Sequence, residues 1–342
     1  MKSRTKVAVV ILNWNGEKLL KTFLPDVVRN SDMDGAVVYV ADNNSTDGSI
    51  DYIKSNFPSV RLILLDENYG FAGGYNKSLE QIDAEYFLLL NSDVAPGKNW
   101  LPPLIEMMDS DPEVAACVPK IKSYKEPEMF EYAGAAGGFI DKYGYPFCRG
   151  RLFDILEKDE GQYDEPVPVF WGSGAALLIR SELYLNSGGL DEDFFAHMEE
   201  IDLCWRVLNK GYKIMSVPQS EVFHLGGGTL HQQNSYKTYL NFRNNLFMLV
   251  KNLPGKRFHQ KLLIRMLLDG VAGLHFLAKG EFAFFSAVIK AHFSFYKSYG
   301  QMMKKRKELL PGVKKENHDE IFPGSLVWHF FFKKQRTYSE LG

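Results

Sequence analysis

Short apolar runs alternate with amphipathic segments through the first half of the chain. Four runs have the length of buried strands, at 7–12, 37–41, 61–65 and 86–90. Turn residues and a helix-like segment follow the first three, and these candidate helices span 17–29, 47–56 and 72–81. Such alternation predicts a mainly parallel sheet with helices on both faces. The pattern weakens after about Asp111 and returns with a strand at 175–180, a helix at 199–209 and a strand at 212–217.

From Ser235 onward the pattern changes to long helical stretches. A polar stripe recurs every four residues within 258–278, at Lys261, Arg265 and Asp269, and a similar stripe crosses 281–299. Charges interrupt both segments within the ~20 apolar residues that a membrane span needs, so neither is predicted to cross a bilayer. We therefore predict an α/β domain at 1–230 and a basic, aromatic, amphipathic helical region at 231–342, whose helices lie on a surface.

The net charge of −2 hides an uneven distribution of charge along the chain. Residues 231–342 carry 19 Lys/Arg and 7 Asp/Glu, whereas the first 230 residues carry 21 and 35. An acidic first part and a basic second part indicate two tasks in one chain. The three cysteines, Cys117, Cys148 and Cys204, have neither metal-ligand spacing nor a disulfide pattern, which favours a reducing compartment.

Polar clusters follow three of the predicted strands, at 13–15, 42–44 and 91–93. Ligands of open parallel sheets bind beyond the carboxyl ends of the strands, so these clusters predict a binding site at one edge of the sheet. Asp93 is a single carboxylate after a buried strand, and it suits a hard cation shared with phosphate oxygens. Taken alone, each cluster is equally typical of a polar turn.

A glycine-rich segment, from Asn68 to Asn76, enters the third predicted helix. Gly73 and Gly74 would let the backbone approach a diphosphate closely, and a helix N-terminus favours an anion. The glycine spacing is not the dinucleotide-binding fingerprint. A turn without any ligand explains this segment equally well by itself.

The densest acidic patch lies at the start of the predicted helix 199–209. Glu199, Glu200 and Asp202 stand in its first turn, where the helix dipole alone would favour them. Two adjacent glutamates beside an aromatic pocket can also supply a general base with a raised pKa. His224 precedes a run of three glycines; it is a candidate metal ligand at the same edge, although a lone histidine is more often structural.

Trp171, Gly172 and Ser173 directly precede the predicted strand at 175–180. An indole face suits a sugar ring or the apolar stem of a lipid, so this triplet is a candidate part of an acceptor site. The alternative of equal weight is a tryptophan in the core.

Taken together and in this order, these segments resemble the family 2 glycosyltransferases, especially their rhamnosyltransferase-like bacterial branch. The matching pieces cover roughly residues 5–230. They are Val-Val-Ile-Leu-Asn-Trp-Asn, Asp42-Asn-Asn-Ser-Thr-Asp-Gly-Ser, Asn68-x-Gly-Phe-Ala-Gly-Gly-x-Asn76, Asn91-Ser-Asp93, Gly172-Ser-Gly-Ala, and Gly189-Leu-Asp-Glu-Asp-Phe-Phe leading to Glu199-Glu-x-Asp-Leu-Cys-x-Arg206.

The resemblance implies a GT-A fold and an inverting, single-displacement glycosyltransferase. The implied donor is a nucleotide-diphosphate sugar, namely dTDP-rhamnose, a UDP-sugar or a GDP-sugar. The implied acceptor is a hydroxyl of a glycan or polyprenol-linked molecule in cell-surface polysaccharide synthesis.

The resemblance also assigns roles to individual residues. Asp42 would contact the nucleotide base and Asn91 would lie near the ribose. Asp93 would bind Mg²⁺ or Mn²⁺, with His224 as a further ligand, and Glu200 would be the base with Glu199 as its orienting neighbour. The remaining expected donor contacts are Asn13, Asn44, Asn68, Gly73, Gly74, Asn76 and Ser92, and the expected acceptor contacts are Trp171, Gly172, Ser173 and Asp202.

Two positions depart from the family pattern. Asn91 replaces the first acid of the usual Asp-x-Asp triplet, and Glu200 replaces the aspartate of the usual Glu-Asp pair. The first departure leaves one carboxylate for the metal. The second lengthens the base by a methylene, which changes its reach, and position is critical in catalysis.

Three other protein classes fit the sequence less well. A nucleotidyltransferase needs a strongly basic, glycine-rich N-terminal loop, and here only Lys18 and Lys21 follow the first cluster. A non-catalytic sugar-nucleotide-binding or membrane-scaffold homologue would be expected to lose the acidic cluster, which this chain keeps. A processive polysaccharide synthase would carry Gln-x-x-Arg-Trp and several membrane spans, and neither is visible here.

The basic, aromatic C-terminal helices predict a peripheral contact with anionic lipid on the inner face of the cell membrane, in the cytoplasm and near a polyprenol-linked acceptor. The alternative is that they pack on the catalytic domain or on a second subunit, as in a homodimer formed through these helices. No nucleic-acid partner is expected.

Overall fold

The structure is a computed structural model that describes residues 5–226, 234–255 and 258–341. The predicted domain boundary at residue 230, and Gly227 and Gly228 of the predicted glycine run, lie outside the described residues. The strands are β1 (Thr5–Asn13), β2 (Ala36–Asp42), β3 (Arg61–Leu64), β4 (Ala84–Leu90), β5 (Val94–Pro96), β6 (Val114–Ser123), β7 (Gly138–Asp141), β8 (Pro146–Cys148), β9 (Arg151–Leu152), β10 (Ile155–Leu156), β11 (Val167–Pro168), β12 (Ala176–Arg180), β13 (Lys213–His224) and β14 (Ile321–Phe322). The α-helices are α1 (Glu17–Asn30), α2 (Ser49–Asn56), α3 (Gly70–Leu79), α4 (Leu101–Ser110), α5 (Ser181–Asn186), α6 (Glu199–Asn209), α7 (Ser235–Asn252), α8 (Phe258–Ala278), α9 (Phe282–Leu309) and α10 (Leu326–Phe331).

The central sheet has the strand order β11-β13-β6-β12-β4-β1-β2-β3, and β5 pairs with β13. The four strands predicted from the first half of the chain, β1 to β4, are all parallel, as expected. Strand β12, however, runs antiparallel to both β4 and β6. The sheet is therefore mixed.

Apolar side chains cover both faces of the sheet. On β1, Val9 belongs to one buried cluster together with Leu24 of α1, and Val10 belongs to the opposite cluster together with Leu79 of α3. A strand that is covered by helices on both faces has apolar residues at consecutive positions. This pattern is the reason that the sequence predicts β1.

Strand β13 is longer than its predicted span of 212–217 and continues to His224. Its pairing with β6 shifts register between Val217 and Glu221, and Pro218 lies within this irregularity. A proline lacks the N–H that pairing between strands needs, and it is tolerated at bulges. Because of Pro218, the sequence pattern predicts only the first half of this strand.

A second, smaller sheet has the order β10-β9-β8-β7-β14. Strand β14 comes from the C-terminal region and pairs in parallel with β7, where Ile321 is opposite Ile140. Helix α7 packs against α6 and α9. The two parts of the chain on either side of residue 230 therefore share one sheet and one helical layer.

Helix α8 presents its polar stripe to the interior of the protein. Arg265 donates from Nε to Asp269 Oδ1 at 2.7 Å, and both side chains are buried. The Arg265 guanidinium also lies 3.8 Å from the centre of the Tyr145 ring. The predicted stripe thus forms, but it is the apolar side of α8 that is exposed. Among the described residues, no helix has both the length and the apolar character needed to cross a bilayer.

We predict that Asp269→Ala strongly destabilises the fold, because it leaves the buried Arg265 cation without its carboxylate. Breaking a buried ion pair in this way costs about 3–5 kcal/mol. The matched control is Leu267→Ala on the same helix, where the side chain is 63 % exposed and the expected change is within about 0.5 kcal/mol. Free energies of unfolding from chemical denaturation test the pair of variants. Equal values for the two would contradict the buried orientation of the stripe.

Candidate active site

The carboxyl ends of β1, β2 and β4 lie at one edge of the central sheet. Asn13 at the end of β1 is in register with Asp42 on β2, and Ile11 is in register with Leu90 at the end of β4. The polar clusters that follow these strands therefore begin side by side, as the sequence predicts.

Asp42 is buried and fixed by hydrogen bonds at both carboxylate oxygens. Asn13 Nδ2 donates to Oδ1 at 2.9 Å, and the Ser45 backbone N–H donates to Oδ2 at 2.8 Å. Asn13 Nδ2 also lies 3.1 Å from Ser45 Oγ. Asn44 is exposed in this turn with φ +60. The turn after β2 is thus rigid, and a bound base would meet a carboxylate that already has a fixed orientation.

Asn43, the middle residue of the predicted polar cluster 42–44, joins this turn to the entry of α3. Its Nδ2 donates to Asn68 Oδ1 and to the Gly70 carbonyl, each at 2.9 Å. A Cβ on Gly74 would lie 2.8 Å from Leu12 Cδ1 and 3.0 Å from Asn43 Nδ2. Close packing of α3 against β1 is therefore sufficient reason for glycine at this position, whether or not a phosphate binds there.

Asn76 and Gly73 do not join the donor cluster. Asn76 Oδ1 accepts hydrogen bonds from Tyr184 Oη at 2.7 Å and from the Leu190 N–H at 2.9 Å, and its Nδ2 donates to the Leu190 carbonyl at 2.8 Å. A Cβ on Gly73 would meet Tyr69 Cβ at 3.0 Å and the Glu192 carboxyl at 3.4 Å. Both residues pack α3 against the loop before α6.

Asp93, His224 and Glu131 form a buried cluster beyond the end of β4. Strand β5 pairs with β13, with His224 opposite Val94, and this places His224 next to Asp93. His224 Nε2 lies 3.1 Å from Asp93 Oδ1, and Nδ1 lies 3.1 Å from Glu131 Oε2. Burial by itself lowers the pKa of His224, but the two carboxylates outweigh burial and raise it to about 10.

The donor atoms of Asp93 and His224 suit a divalent cation, because carboxylate and neutral imidazole are both metal ligands. Within the described part of the chain, no three His, Cys, Asp or Glu side chains are disposed to hold an ion by themselves. The imidazole lies between two carboxylates, so the three groups do not converge on one point. Two protein ligands leave the other positions to phosphate or water. Glu131 comes from a stretch without clear periodicity, and no sequence signal pointed to it.

The first turn of α6 carries the two candidate catalytic glutamates. Glu199 is 4 % exposed and Glu200 is half-buried. Burial raises the pKa of Glu200 to about 7. Burial, together with the charge of Glu200, raises the pKa of Glu199 well above its usual value. Of the two, Glu200 is the carboxyl group whose pKa lies near neutral pH.

Contacts through residues 172–175 link this acid pair to the end of β4. The Gly172 N–H donates to Cys204 Sγ at 3.5 Å, and Cys204 lies one helical turn after Glu200. At the other end of this segment the Ala175 carbonyl accepts from the Asn91 N–H at 3.0 Å. The base candidate and the Asn91-to-Asp93 cluster thus lie on either side of one short turn. Gly172 is packed tightly there, since a Cβ would approach Val118 Cγ1 to 2.1 Å.

Asp202 and Trp171 are not placed to contact an acceptor. Asp202 is fully buried on α6 and accepts hydrogen bonds from Arg206, Lys251 and Asn252. Trp171 is 4 % exposed, and its Nε1 donates to the Phe139 carbonyl at 2.9 Å. Ser173 is also buried, and its Oγ accepts from the Ala175 N–H. Trp171 is therefore a core tryptophan, which was the alternative to an acceptor contact. Asp202 has a structural role.

Residues 8–175 match the model of a protein family described as Glycosyl transferase family 2. This part of the chain is a family 2 glycosyltransferase domain. Its relatives include the N-acetylglucosaminyl-diphospho-decaprenol L-rhamnosyltransferase of Mycobacterium tuberculosis, which is 29 % identical over 205 residues. That match covers 55 % of this chain and 66 % of the relative, slightly under two thirds of its length.

Solved structures confirm the GT-A fold of this family 2 chain. GalNAc-T7, solved with UDP, GalNAc and Mn²⁺, superimposes with a TM-score of 0.57 at 17 % identity, over 73 % of this chain and 48 % of that one. The mannosyltransferase PcManGT from Pyrobaculum calidifontis, in complex with GDP-Man and Mn²⁺, gives 0.53 at 16 % identity, over 92 % and 88 %. The family and fold expected from the sequence motifs are thus confirmed.

We predict that Gly74→Ala destabilises the protein, because the added methyl group enters the tight contact with Leu12 and Asn43. Overpacking of this kind costs about 1–3 kcal/mol. The same substitution at Gly300 in α9, where an added Cβ would have no atom within 4 Å, should stabilise the helix by about 0.4–1 kcal/mol. Thermal unfolding of the two variants tests this difference in sign. A Gly74→Ala protein as stable as the wild type would contradict the packing explanation.

Proposed function

We propose that this family 2 chain is an inverting glycosyltransferase that moves a sugar from a nucleotide-diphosphate donor to a hydroxyl of a glycan or polyprenol-linked acceptor in cell-surface polysaccharide synthesis. The proposal depends above all on Glu200, a carboxyl group whose pKa is raised to about 7 and which lies across one short turn from the cluster at the end of β4. The mycobacterial relative is named for rhamnosyl transfer to a diphospho-decaprenol-linked sugar. That name favours a rhamnosyl donor and a polyprenol-diphosphate acceptor here.

The donor is proposed to bind along the sheet edge from Asp42 to Asp93. The two solved structures with this fold are described with UDP or GDP-Man together with Mn²⁺, which supports a nucleotide-sugar donor and a divalent metal in this chain. Asp93 and His224 would hold Mg²⁺ or Mn²⁺, and His224 would have to give up a proton to do so. When bound, the metal neutralises the charge that builds on the leaving nucleoside diphosphate.

In the proposed reaction Glu200 accepts the proton of the acceptor hydroxyl. The hydroxyl oxygen forms a bond to the anomeric carbon while the bond from that carbon to the diphosphate oxygen breaks on the opposite face. The electron pair of the broken bond leaves with the nucleoside diphosphate, and the configuration at the anomeric carbon inverts. Glu200 is therefore neutral after the step.

The test combines nucleotide binding with sugar transfer by the full chain. Thermal shifts with dTDP, UDP, GDP and CDP, each with Mg²⁺, Mn²⁺ or EDTA, identify the donor class. Transfer is then assayed with the matching sugar nucleotides and a polyprenol-diphosphate-linked sugar. Release of nucleoside diphosphate supports glycosyl transfer, whereas release of pyrophosphate indicates a nucleotidyltransferase. No shift and no transfer would indicate a non-catalytic homologue and would refute the proposal.

We predict that Glu200→Gln lowers kcat by about 10²–10⁴-fold, the usual contribution of a general base, while nucleotide binding is retained. In the wild type, kcat/KM should fall about tenfold per pH unit below about 7, because the base must be deprotonated and its pKa is raised by burial to about 7. The matched control is Glu182→Gln on α5, where the side chain is exposed. A rate that does not change between pH 5 and 7 would contradict the assignment of Glu200.

We further propose that the exposed apolar side of α8 and α9 contacts anionic lipid on the inner face of the cell membrane. Leu267 is 63 % exposed and Phe293 is 70 % exposed. The other large apolar side chains exposed on these two helices are Leu263, Val271, Leu274, Leu277, Phe282, Ile289 and Tyr296.

The charges around this apolar face favour an anionic partner. Between residues 258 and 300, three lysines are exposed, Lys279, Lys290 and Lys297, against a single exposed carboxylate, Glu281. Interfacial helices bind by burial of apolar area together with attraction of basic residues to anionic lipid, about 1 kcal/mol for each basic residue near the surface. Exposed apolar side chains together with exposed lysines are the combination by which interfacial helices bind anionic bilayers.

We predict that the protein co-sediments with vesicles that contain phosphatidylglycerol, and that Leu267→Glu with Phe293→Glu lowers the bound fraction at least tenfold. Glutamates on this face bury charge in lipid and repel the anionic headgroups. The matched control is Leu64→Glu, an equally exposed leucine on the edge strand β3. Point variants are preferred to truncation, because α7 is part of the core. A concentration-dependent dimer without vesicle binding would refute the lipid contact and identify the face as a subunit interface.

A further inference from the structure

The backbone just before α6 has an unusual conformation for side-chain-bearing residues. Phe195, His197 and Met198 have φ values of +66, +68 and +75. This left-handed region is disfavoured for any residue with a Cβ and persists only where the surroundings enforce it. Because α6 begins at Glu199, this turn decides where the two candidate catalytic glutamates are placed.

Asn244 of α7 holds the turn through its side-chain amide. Its Nδ2 lies 2.9 Å from the Phe194 carbonyl oxygen and 2.8 Å from each of the Ala196 and His197 carbonyl oxygens, and these three acceptors share its two amide hydrogens. Asn244 is fully buried. Without this amide, the Ala196 and His197 carbonyls would lose a hydrogen-bond donor, and buried backbone carbonyls are rarely left unpaired. The Phe194 carbonyl also accepts from the Ala196 N–H at 2.8 Å.

Arg243 fixes the orientation of that amide and adds to the same contact. Its Nε donates to Asn244 Oδ1 at 2.8 Å, so the NH₂ group of Asn244 must face the turn. Arg243 Nη2 itself donates to the Phe194 carbonyl at 2.9 Å and to the Asp193 carbonyl at 3.2 Å. The side chains of two adjacent residues thus contact the carbonyl groups of Asp193, Phe194, Ala196 and His197.

We propose that Asn244, oriented by Arg243, is a positioning residue that sets the place of the base Glu200 through the backbone of this turn. The inference rests on the proposed glycosyl transfer. It gives α7 a role in positioning the base, although α7 lies outside residues 8–175 that match the family. Asn244 acts only through the peptide groups that precede α6, and a displacement of the base by about 1 Å is enough to cost 10²-fold in rate.

The next residue provides a matched control. Asn245 is also an asparagine, is 1 % exposed and donates from Nδ2 to a backbone carbonyl, that of Gly144 at 2.6 Å. Its Oδ1 accepts from Arg265 rather than from Arg243. Asn245→Ala therefore removes a buried amide from the same helix without touching the turn before α6.

We expect both alanine variants to melt at lower temperature than the wild type. Only Asn244→Ala should also lower kcat, by about 10–100-fold, with the KM for the sugar nucleotide unchanged within about twofold. Arg243→Ala, a milder change on a half-buried residue, should lower kcat by about three- to tenfold with the same pattern, and it serves if Asn244→Ala fails to fold. Equal kcat losses in Asn244→Ala and Asn245→Ala would overturn the positioning role.

Hydrogen–deuterium exchange supplies a readout that does not depend on activity. Backbone amides in 194–203 should exchange faster in Asn244→Ala and in Arg243→Ala than in the wild type, whereas Asn245→Ala should accelerate exchange near 141–146. Unchanged exchange at 194–203 in Asn244→Ala and Arg243→Ala would refute the inference. If the wild type transfers no sugar, the proposed function fails, and the exchange data still decide whether Asn244 holds the turn.

Discussion

One buried carboxylate, Asp202, ties the helix that carries the candidate base to the C-terminal helices. It accepts from Arg206 Nε at 2.9 Å, Lys251 Nζ at 2.8 Å and Asn252 Nδ2 at 2.7 Å. A buried charge is tolerated only when it is paired and hydrogen-bonded, and removal of one partner leaves the other uncompensated. Helix α6 can therefore keep its place only while α7 supplies Lys251 and Asn252.

The same network extends to the loop before α6 and to α9. Lys251 also pairs with Asp191, and Asp191 accepts from Lys305 of α9 at 2.5 Å. Burial alone would raise the pKa of Asp191, but the two lysines outweigh it and hold the pKa well below its usual range. With Asn244 on the turn itself, the C-terminal helices hold the acid pair from several sides. Helices α7 and α9 of this layer contact the loop before α6, and α8 and α9 carry the exposed apolar side chains.

The sequence predicted the first four strands and most helices, because apolar periodicity indicates which segments pack into a core. It predicted the family, because several motifs occur along the chain in the family's order. It did not predict which side of α8 is buried. Amphipathicity separates two faces but does not say which one packs inward, and here a charged pair, Arg265 and Asp269, occupies the interior. The burial of Asp202 does not fit the acceptor contact expected of it, and of the two alternatives for Trp171 the structure favours the core. Residue type alone does not distinguish a binding side chain from a core one. Glu131 and Asn244 depend on contacts between distant segments, and these leave no local pattern.

The pairing of β14 with β7 delays completion of the small sheet while the protein is synthesised. Ile140 leaves the ribosome long before its partner Ile321. At about 5–20 residues per second the interval is on the order of ten seconds or more. Until then the edge of β7 is unpaired, and an unpaired strand edge is a template for association with other chains. The small sheet is therefore exposed to association with other chains until the C-terminal region has been made.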